Sequence, residues 1–557
     1  MKRIMTIISA ILICGAMMAQ PNWAKKASKS VFTLKTFTAD GTLIASSNGF
    51  FIDKSGVAVS NFAPFNGAAR AVIVNEQGKE MNVECILGAN EIYDVVKFRV
   101  ATTNAVPLAI AASAATDSSS VWLVPYSANK KMACVQGKVS KVEKFQNQYN
   151  YYTIAIAAPE NSVSCPLLND NGEVIGLLQQ PSTANETTQY AVSARFADSL
   201  KINGLSINDA TLKKTSIKKA LPDQLDQAVL TLYLAGSIAD SVSYTNLLED
   251  FIAKFPNASD GYIARAQLKA DANKFAEADK DMEQAIKVAD KKDDAHYNYA
   301  RLIYNKEIYK SKVPYANWSM DKAADEADKA YQINKIAIYM QLKAQIRFSQ
   351  KNYSAAYDIY KELTNSGTRT AEVYFNAARC KEMLNDTTAM VALLDSAVNT
   401  FSKPYLKEAA PYILARAQAM QEIGKYREAV GDYNDYEKLM STQVNDNFYY
   451  ARAQVEAEGR MFQLAINDIN KAIKMSPKNT LYYAEKASIE VRVGLFDDAI
   501  KTAQECISID PKISDGYLFL GLAQCLKGNK TEGAANLQKA KELGDGQAQA
   551  LIDKYSK

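Results

Sequence analysis

The feature of this sequence that most constrains its fold is a series of small residues that recur at a nearly constant interval through the second half. The successive intervals are 34, 34, 44, 34, 39, 36, 34 and 34 residues. All but the first member are alanine or glycine: Leu232, Ala266, Ala300, Ala344, Ala378, Ala417, Ala453, Ala487 and Gly521. A period of this length in an Ala-, Lys- and Glu-rich sequence is typical of stacked helix pairs. We therefore predict an α-helical repeat array over residues 225–557.

Three repeats show further small and aromatic positions at fixed offsets. They are Tyr449, Ala453, Phe462, Ala465, Ala472 and Pro477; Tyr483, Ala487, Phe496, Ala499, Cys506 and Pro511; and Tyr262, Ala266, Phe275, Ala278 and Ala285. This pattern resembles the tetratricopeptide repeat, in which a small eighth residue lets helix A approach helix B. The resemblance covers residues 225–557, and the repeat with the insertion NKEIYKSKVPYANW is among the least typical. Residues 546–555 are predicted to form a capping helix.

The first half has a different periodicity. From about residue 28 to residue 205, short segments rich in β-branched and aromatic residues alternate with Gly, Asn, Asp and Ser, as in SVFTLKTF, RAVIVN and YYTIAIA. Many short strands at this spacing predict an all-β barrel or sandwich. Residues 206–224 are predicted to form a polar linker or a loose helix between the halves.

Local strings in the first half resemble HtrA-type (DegP-like) serine peptidases of the trypsin fold. NGFFIDKSGVAVSNFAPFNGA is similar to the stretch around the catalytic histidine, DVVKFRV to the aspartate strand, and NSVSCPLLNDNGEVIG to the nucleophile loop. QYAVSARFADSL is similar to the closing strand and helix of that family. The resemblance covers residues 24–205 and implies a double β-barrel. By this resemblance, Ala63, Asp94 and Val163 occupy the positions of the family's triad histidine, aspartate and serine.

Two of these three positions lack the side chain that hydrolysis needs. Ser-His-Asp chemistry requires an imidazole that takes the hydroxyl proton and returns it to the leaving group. The only histidine of the chain is His296, in the helical half, and Val163 has no nucleophilic atom. Asn161 replaces the glycine that shapes the oxyanion pocket in the family. The resemblance therefore implies a pseudopeptidase, and Asp94 is expected to be a structural remnant.

An unusual active site is the alternative interpretation of the same loop. Ser162, Ser164 and Cys165 flank Val163, and Lys138 and Lys141 could approach them in the fold. A serine with a lysine base, or an activated thiol, would make the domain a serine- or cysteine-type endopeptidase.

Glutamine recurs directly after the small residue of four helices A, which line the concave face in the tetratricopeptide family. These amides could offer donors and acceptors to a bound peptide, although a solvated helix face explains them equally well. The predicted peptide-binding residues are Gln267, Gln345, Phe375, Arg379, Gln418, Tyr450 and Gln454. Arg and Asp also recur sixteen residues apart, and we interpret them as internal ion pairs: Arg265 with Asp281, Arg416 with Asp432, and Arg452 with Asp468.

The N-terminus has the layout of a secretory signal peptide over residues 1–19. Lys2 and Arg3 precede an apolar run from Ile4 to Ala19 that is too short for a confident membrane span. Ile13 before Cys14 argues against a lipoprotein signal. Without Lys2 and Arg3 the formal charge of +4 falls to +2, which gives no electrostatic case for nucleic acid or membrane partners. No cofactor is expected, and one histidine with scattered cysteines provides no metal site.

These observations predict an exported scaffold, periplasmic, outer-envelope or secreted, that binds proteins or peptides without cutting them. We expect a role in assembly or quality control of envelope protein complexes. The alternatives are an envelope endopeptidase with an unusual active site, and a repeat adaptor whose barrel is purely structural.

Overall fold

The computed structural model describes residues 20–128, 134–180 and 188–555, so the predicted signal peptide lies outside the described residues. The chain divides into two compact units, Met1–Leu268 and Lys269–Lys557. The first unit contains the β-rich half, the segment after it and the first helices. The second contains the remaining helices.

Two closed six-stranded β-barrels form the β-rich half. The first has the strand order β1-β2-β3-β6-β5-β4 around a core that includes Phe32, Leu34 and Phe98. The second has the order β10-β11-β12-β9-β8-β7 around Leu123 and Ile154. The strands are β1 Val31–Phe37, β2 Leu43–Phe51, β3 Val57–Ser60, β4 Arg70–Val74, β5 Glu80–Asn90, β6 Val95–Val100, β7 Ser120–Leu123, β8 Val135–Phe145, β9 Tyr149–Ala155, β10 Pro166–Leu168, β11 Val174–Leu178 and β12 Thr188–Ser193. The predicted double barrel is confirmed.

Short helical turns flank these strands. The helix α1, Ala24–Ala27, precedes β1 and buries its two alanines against the second barrel. The 3-10 turns of this half and of the segment after it are Ser28–Ser30, Ala63–Phe65, Ala194–Asp198, Ser206–Asn208 and Leu212–Lys214, and a further one, Lys407–Ala409, lies in the helical half.

The segment predicted as a linker is tied to the first barrel. The side chains of Leu212 and Ile217 are buried in that barrel's core. The Ile86 N–H donates to the Lys218 carbonyl at 2.8 Å, and the Ala220 N–H donates to the Ile86 carbonyl at 2.9 Å. Residues 206–224 therefore extend the first unit, because two apolar side chains and a short stretch of strand-like pairing hold them in place.

Helices make up the rest of the chain. They are α2 Leu225–Ile238, α3 Ser241–Lys254, α4 Ser259–Asp271, α5 Phe275–Val288, α6 Lys292–Tyr309, α7 Met320–Ile333, α8 Ala337–Ser349, α9 Tyr353–Asn365, α10 Ala371–Met383, α11 Thr387–Val398, α12 Ala410–Glu422, α13 Tyr426–Leu439, α14 Asp446–Glu458, α15 Phe462–Met475, α16 Thr480–Arg492, α17 Phe496–Ile509, α18 Ser514–Lys527, α19 Lys530–Glu542 and α20 Ala548–Tyr555. The predicted helical array is confirmed, and α20 lies within the range predicted for a capping helix. Among the described residues, no helix has the length and apolar character that crossing a membrane requires.

The recurring small residues lie where the helices of a pair approach each other. Ala344, Ala417, Ala453 and Ala487 are fully buried. A Cβ atom added to Gly521 would lie 2.7 Å from the Gly533 carbonyl oxygen of the next helix. Larger side chains would separate the two helices, which explains why the sequence keeps this position small.

Two of the three predicted Arg–Asp pairs are confirmed. Arg416 donates to both carboxylate oxygens of Asp432 at 2.7 Å. Arg452 donates from Nη2 to the Asp468 carboxylate at 3.1 Å. Arg265 and Asp281 belong to different units, and their pairing stays a prediction.

The atypical insertion folds back onto the buried carboxylate of Asp279 in α5. This carboxylate accepts hydrogen bonds from the Tyr315 hydroxyl at 2.8 Å and the Trp318 indole at 2.7 Å, and also from Tyr299. Burial acts to raise the pKa of Asp279, but these hydrogen bonds together hold it below its usual value. The longest interval of the repeat series is therefore an ordered part of the second unit.

Cysteines contribute to the cores as thiols. The six in the described ranges are buried and none of them is in a disulfide: Cys85, Cys134, Cys165, Cys380, Cys506 and Cys525.

Candidate functional site

The residues predicted at the histidine and aspartate positions of the triad, Ala63 and Asp94, lie side by side in the first barrel. Ala63 begins the turn Ala63–Phe65 and is exposed. Asp94 lies just before β6 with a positive φ of 47°, and its Oδ1 accepts a hydrogen bond from the Ala63 backbone N–H at 2.7 Å. The carboxylate therefore lies next to the residue predicted at the histidine position, and one of its oxygens accepts a hydrogen bond from the main chain there.

In the loop with the predicted nucleophile position, Val163 is half-buried, while the neighbouring hydroxyls of Ser162 and Ser164 are buried and hydrogen-bonded. Ser162 donates to the Pro159 carbonyl at 2.7 Å. Ser164 has a positive φ of 66°, donates to the Asn61 side-chain oxygen at 2.8 Å and accepts from the Asn61 N–H at 3.0 Å. Both serines therefore point into the protein.

The thiol of this loop is also unsuited to attack. Cys165 is fully buried, and burial raises its pKa to about 12. A neutral thiol without solvent access is a poor nucleophile. Of the two lysines considered as bases, Lys141 pairs with Glu143 at 2.7 Å and both side chains are exposed.

Two asparagines of the first barrel fix the loop in this position, and sequence reasoning did not identify their roles. The Asn48 amide donates to the carbonyls of Asn161 at 2.6 Å and Val163 at 3.1 Å. The Asn61 side-chain oxygen accepts from Ser47 at 2.6 Å as well as from Ser164. The bonds from Asn48 and from Ser164 to Asn61 join the two barrels at the predicted cleft, the region of Ala63, Asp94 and Val163. The N–H groups of Asn161 and Val163 donate no hydrogen bond to any residue that the structure describes.

The single histidine belongs to the helical array. His296 lies in α6, and its Nδ1 is 2.6 Å from a Glu326 carboxylate oxygen on α7. Burial acts to raise the pKa of Glu326, but hydrogen bonds from His296 and Lys329 lower it overall. His296 is therefore part of a polar contact between two helices. No group of three or more His, Cys, Asp or Glu side chains suited to a metal ion was found in the described ranges.

Four of the predicted peptide-binding residues line two adjoining cavities of the second unit. The two cavities have volumes of about 340 Å³ and 180 Å³. Gln345 lines the larger cavity, Phe375 and Gln418 line the smaller one, and Arg379 lines both. The Arg379 guanidinium lies 4.9 Å from the centre of the Phe348 ring. These residues come from α8, α10 and α12, which are successive helices A.

The remaining predicted residues lie elsewhere. The Gln454 amide donates to the Tyr450 hydroxyl at 3.0 Å on α14, and the Tyr450 ring is 5.2 Å from that of Tyr482. Gln267 lies on α4 in the first unit. The predicted glutamine series is therefore seen as one cluster around Arg379 and a separate Tyr450–Gln454 pair.

Comparison with known proteins finds a family match within the first half. Residues 47–177 match the trypsin-like peptidase domain. Among solved structures, a serine endoprotease from Yersinia pestis is 17% identical with a TM-score of 0.29, covering 32% of this chain and 65% of that chain. A protease from M. tuberculosis is 16% identical with a TM-score of 0.29, covering 37% of this chain and 90% of that chain.

Curated relatives match parts of this chain, and one of them is named as a tetratricopeptide repeat-containing protein. The Small glutamine-rich tetratricopeptide repeat-containing protein 2 of Saccharomyces cerevisiae is 36% identical over 95 residues, which is 17% of this chain and 28% of the relative. The Hsp70-Hsp90 organizing protein of Triticum aestivum is 20% identical over 225 residues, 40% of this chain and 36% of the relative. Human DnaJ homolog subfamily C member 7 is 33% identical over 123 residues, 22% of this chain and 24% of the relative. The chain thus spans less than two thirds of each of these relatives.

Proposed function

We propose that this chain is an exported scaffold that binds proteins without cutting them and serves the assembly or quality control of envelope protein complexes. The observation that carries the proposal is the pairing of Asp94 with the Ala63 main chain at 2.7 Å, where a working triad would hold an imidazole. Val163 at the nucleophile position and the burial of Ser162, Ser164 and Cys165 agree with it.

The cleft keeps groups that suit binding rather than hydrolysis. The N–H groups of Asn161 and Val163 are available to a carbonyl oxygen of an extended segment, since they donate to no described residue. Hydrogen bonds from such donors stabilise a bound segment even where no nucleophile is present to cut it. The repeat array supplies a second binding surface, formed by the cluster around Arg379. The names of the relatives, an Hsp70-Hsp90 organizing protein among them, favour a role with other proteins.

Incubation of the full chain with unfolded casein tests the proposal. We expect the intact mass of casein to stay unchanged from pH 5 to pH 9 over the time in which trypsin, as a positive control, degrades it completely. Casein fragments that disappear with Ser162→Ala, Ser164→Ala or Cys165→Ala would contradict the proposal and establish an endopeptidase with an unusual active site. Fragments that persist in all three variants would point to a contaminating protease, which repurification would remove.

A further inference from the structure

A cavity in the first unit has no role in the function proposed above. Its volume is about 640 Å³, and it lies between residues 202–221 and the helices α2 and α3. Its apolar wall includes Ile202, Leu212, Leu221 and Leu247. Small-molecule sites typically have volumes of roughly 300–1,000 Å³ and are mostly apolar with a few convergent polar groups. The cavity has this size and this character.

The acidic side chains of the cavity are already neutralised. Glu249 accepts from Arg265 through both carboxylate oxygens at 2.9 Å. Asp250 pairs with Lys218 at 2.7 Å. Neither carboxylate is therefore free to attract a cationic ligand.

Two lysines of the same cavity have no acidic partner among the described residues. Lys213 donates to the Asn208 amide oxygen at 3.2 Å, and Lys219 donates to the Thr215 carbonyl. Lys219 is half-buried, and burial lowers its pKa. A half-buried ammonium group that contacts only a neutral carbonyl gains more from an anion than an exposed one does, because less water competes for it. The cavity therefore has positive charge that its own acidic side chains do not balance.

We propose that this cavity binds a small amphiphile with an apolar body and a single carboxylate head group. The carboxylate pairs with Lys219, Lys213 adds attraction from the rim, and the apolar body contacts Leu212 and Leu247. One head-group charge matches the one half-buried lysine. This site is independent of the cleft between the barrels and of the cluster around Arg379.

Calorimetric titration of the full chain with decanoate, and with decanol as the uncharged counterpart, tests the site. We expect decanoate to bind about tenfold more tightly than decanol, and Lys219→Gln to abolish this preference. Lys213→Gln should reduce it by about threefold, as expected for a more exposed charge. Lys214→Gln is the matched control, because Lys214 pairs with Glu91 and does not line the cavity.

A second variant separates loss of the site from loss of charge. Ala239 lines the cavity and is half-buried, so the side chain of Ala239→Trp should fill the cavity. The affinity for decanoate and for decanol should then fall by about tenfold or more, while the circular dichroism spectrum stays unchanged. Absence of decanoate binding, equal affinities for the two ligands, or a preference that survives Lys219→Gln would each overturn the proposal. Because these titrations involve neither casein nor the repeat surface, their outcome is independent of the proposed function.

Discussion

At the residue scale, Asp94 offers a test of whether its carboxylate now has only a structural role. Its Oδ1 accepts from the Ala63 N–H, and its φ of 47° is one that Asp and Asn tolerate better than most residues. Asp94→Asn keeps both properties and should change the unfolding free energy by less than about 0.5 kcal/mol. Asp94→Ala removes both and should cost about 1–3 kcal/mol. Hydrogen exchange of barrel amides across urea concentrations would measure the two changes. Equal losses in both variants would mean that the negative charge itself is needed.

The triad positions stay predictions from the sequence, whereas the groups that hold the loop could not be predicted at all. Ala63, Asp94 and Val163 each lie beside a string that resembles the peptidase family, and the structure brings Ala63 and Asp94 together. Asn48 binds the Asn161 carbonyl from 113 residues away. A single asparagine within a strand has no periodicity or neighbouring motif that indicates such a long-range contact.

At the scale of single elements, helix α14 contains a buried carboxylate whose stability contribution depends on pH. Glu456 is 3% exposed, and its Oε2 has no hydrogen-bond partner in the structure as described. Burial raises its pKa to about 7, and the nearby Asp468 adds to the effect. Glu490, at the same repeat position on α16, is also buried with an unpaired Oε2 and a pKa that burial raises.

We predict that Glu456→Gln stabilises the second unit at pH 8 but not at pH 4.5. A raised pKa in the folded state stabilises the protein below the unfolded pKa of about 4.3, and this stabilisation is lost as pH rises through about 7. At pH 8 the wild type therefore buries a charge that glutamine avoids, and the variant should gain about 1–3 kcal/mol. Urea unfolding at the two pH values measures the difference. Glu458→Gln, at an exposed position of the same helix, is the control and should show no such dependence. A gain that is equal at both pH values would contradict the prediction.

The repeats and the segment before them differ in how much their sequence reveals. Ala344, Ala417 and Ala453 could be predicted as helix contacts because close approach of two helices requires a small residue in every repeat. Leu212 and Ile217, in contrast, are isolated among lysines, serines and threonines. Nothing periodic distinguishes them from a linker, and their burial depends on the first barrel that they enter.

At the scale of the whole molecule, the question is whether both the cleft and the repeat array bind partners. The scaffold proposal requires both, whereas the adaptor alternative requires the array alone. In-cell crosslinking followed by mass spectrometry of full-length variants can separate the two. Ala63 is exposed in the cleft, so Ala63→Trp should obstruct it, with Lys54→Trp in the exposed β2–β3 turn as the control.

For the array, we predict that Gln418→Glu combined with Gln454→Glu reduces partner capture by about tenfold, while the thermal unfolding temperature stays nearly unchanged. The double change places negative charge where the amides would pair with a peptide. The double change Gln443→Glu and Gln463→Glu adds the same charge at exposed positions outside helices A and should leave capture intact. If Ala63→Trp also reduces capture by several-fold, the cleft takes part in binding. If Ala63→Trp leaves capture unchanged and the array variant loses it, all binding belongs to the repeats. A barrel that contributes only structure has no bound segment for the tryptophan to displace.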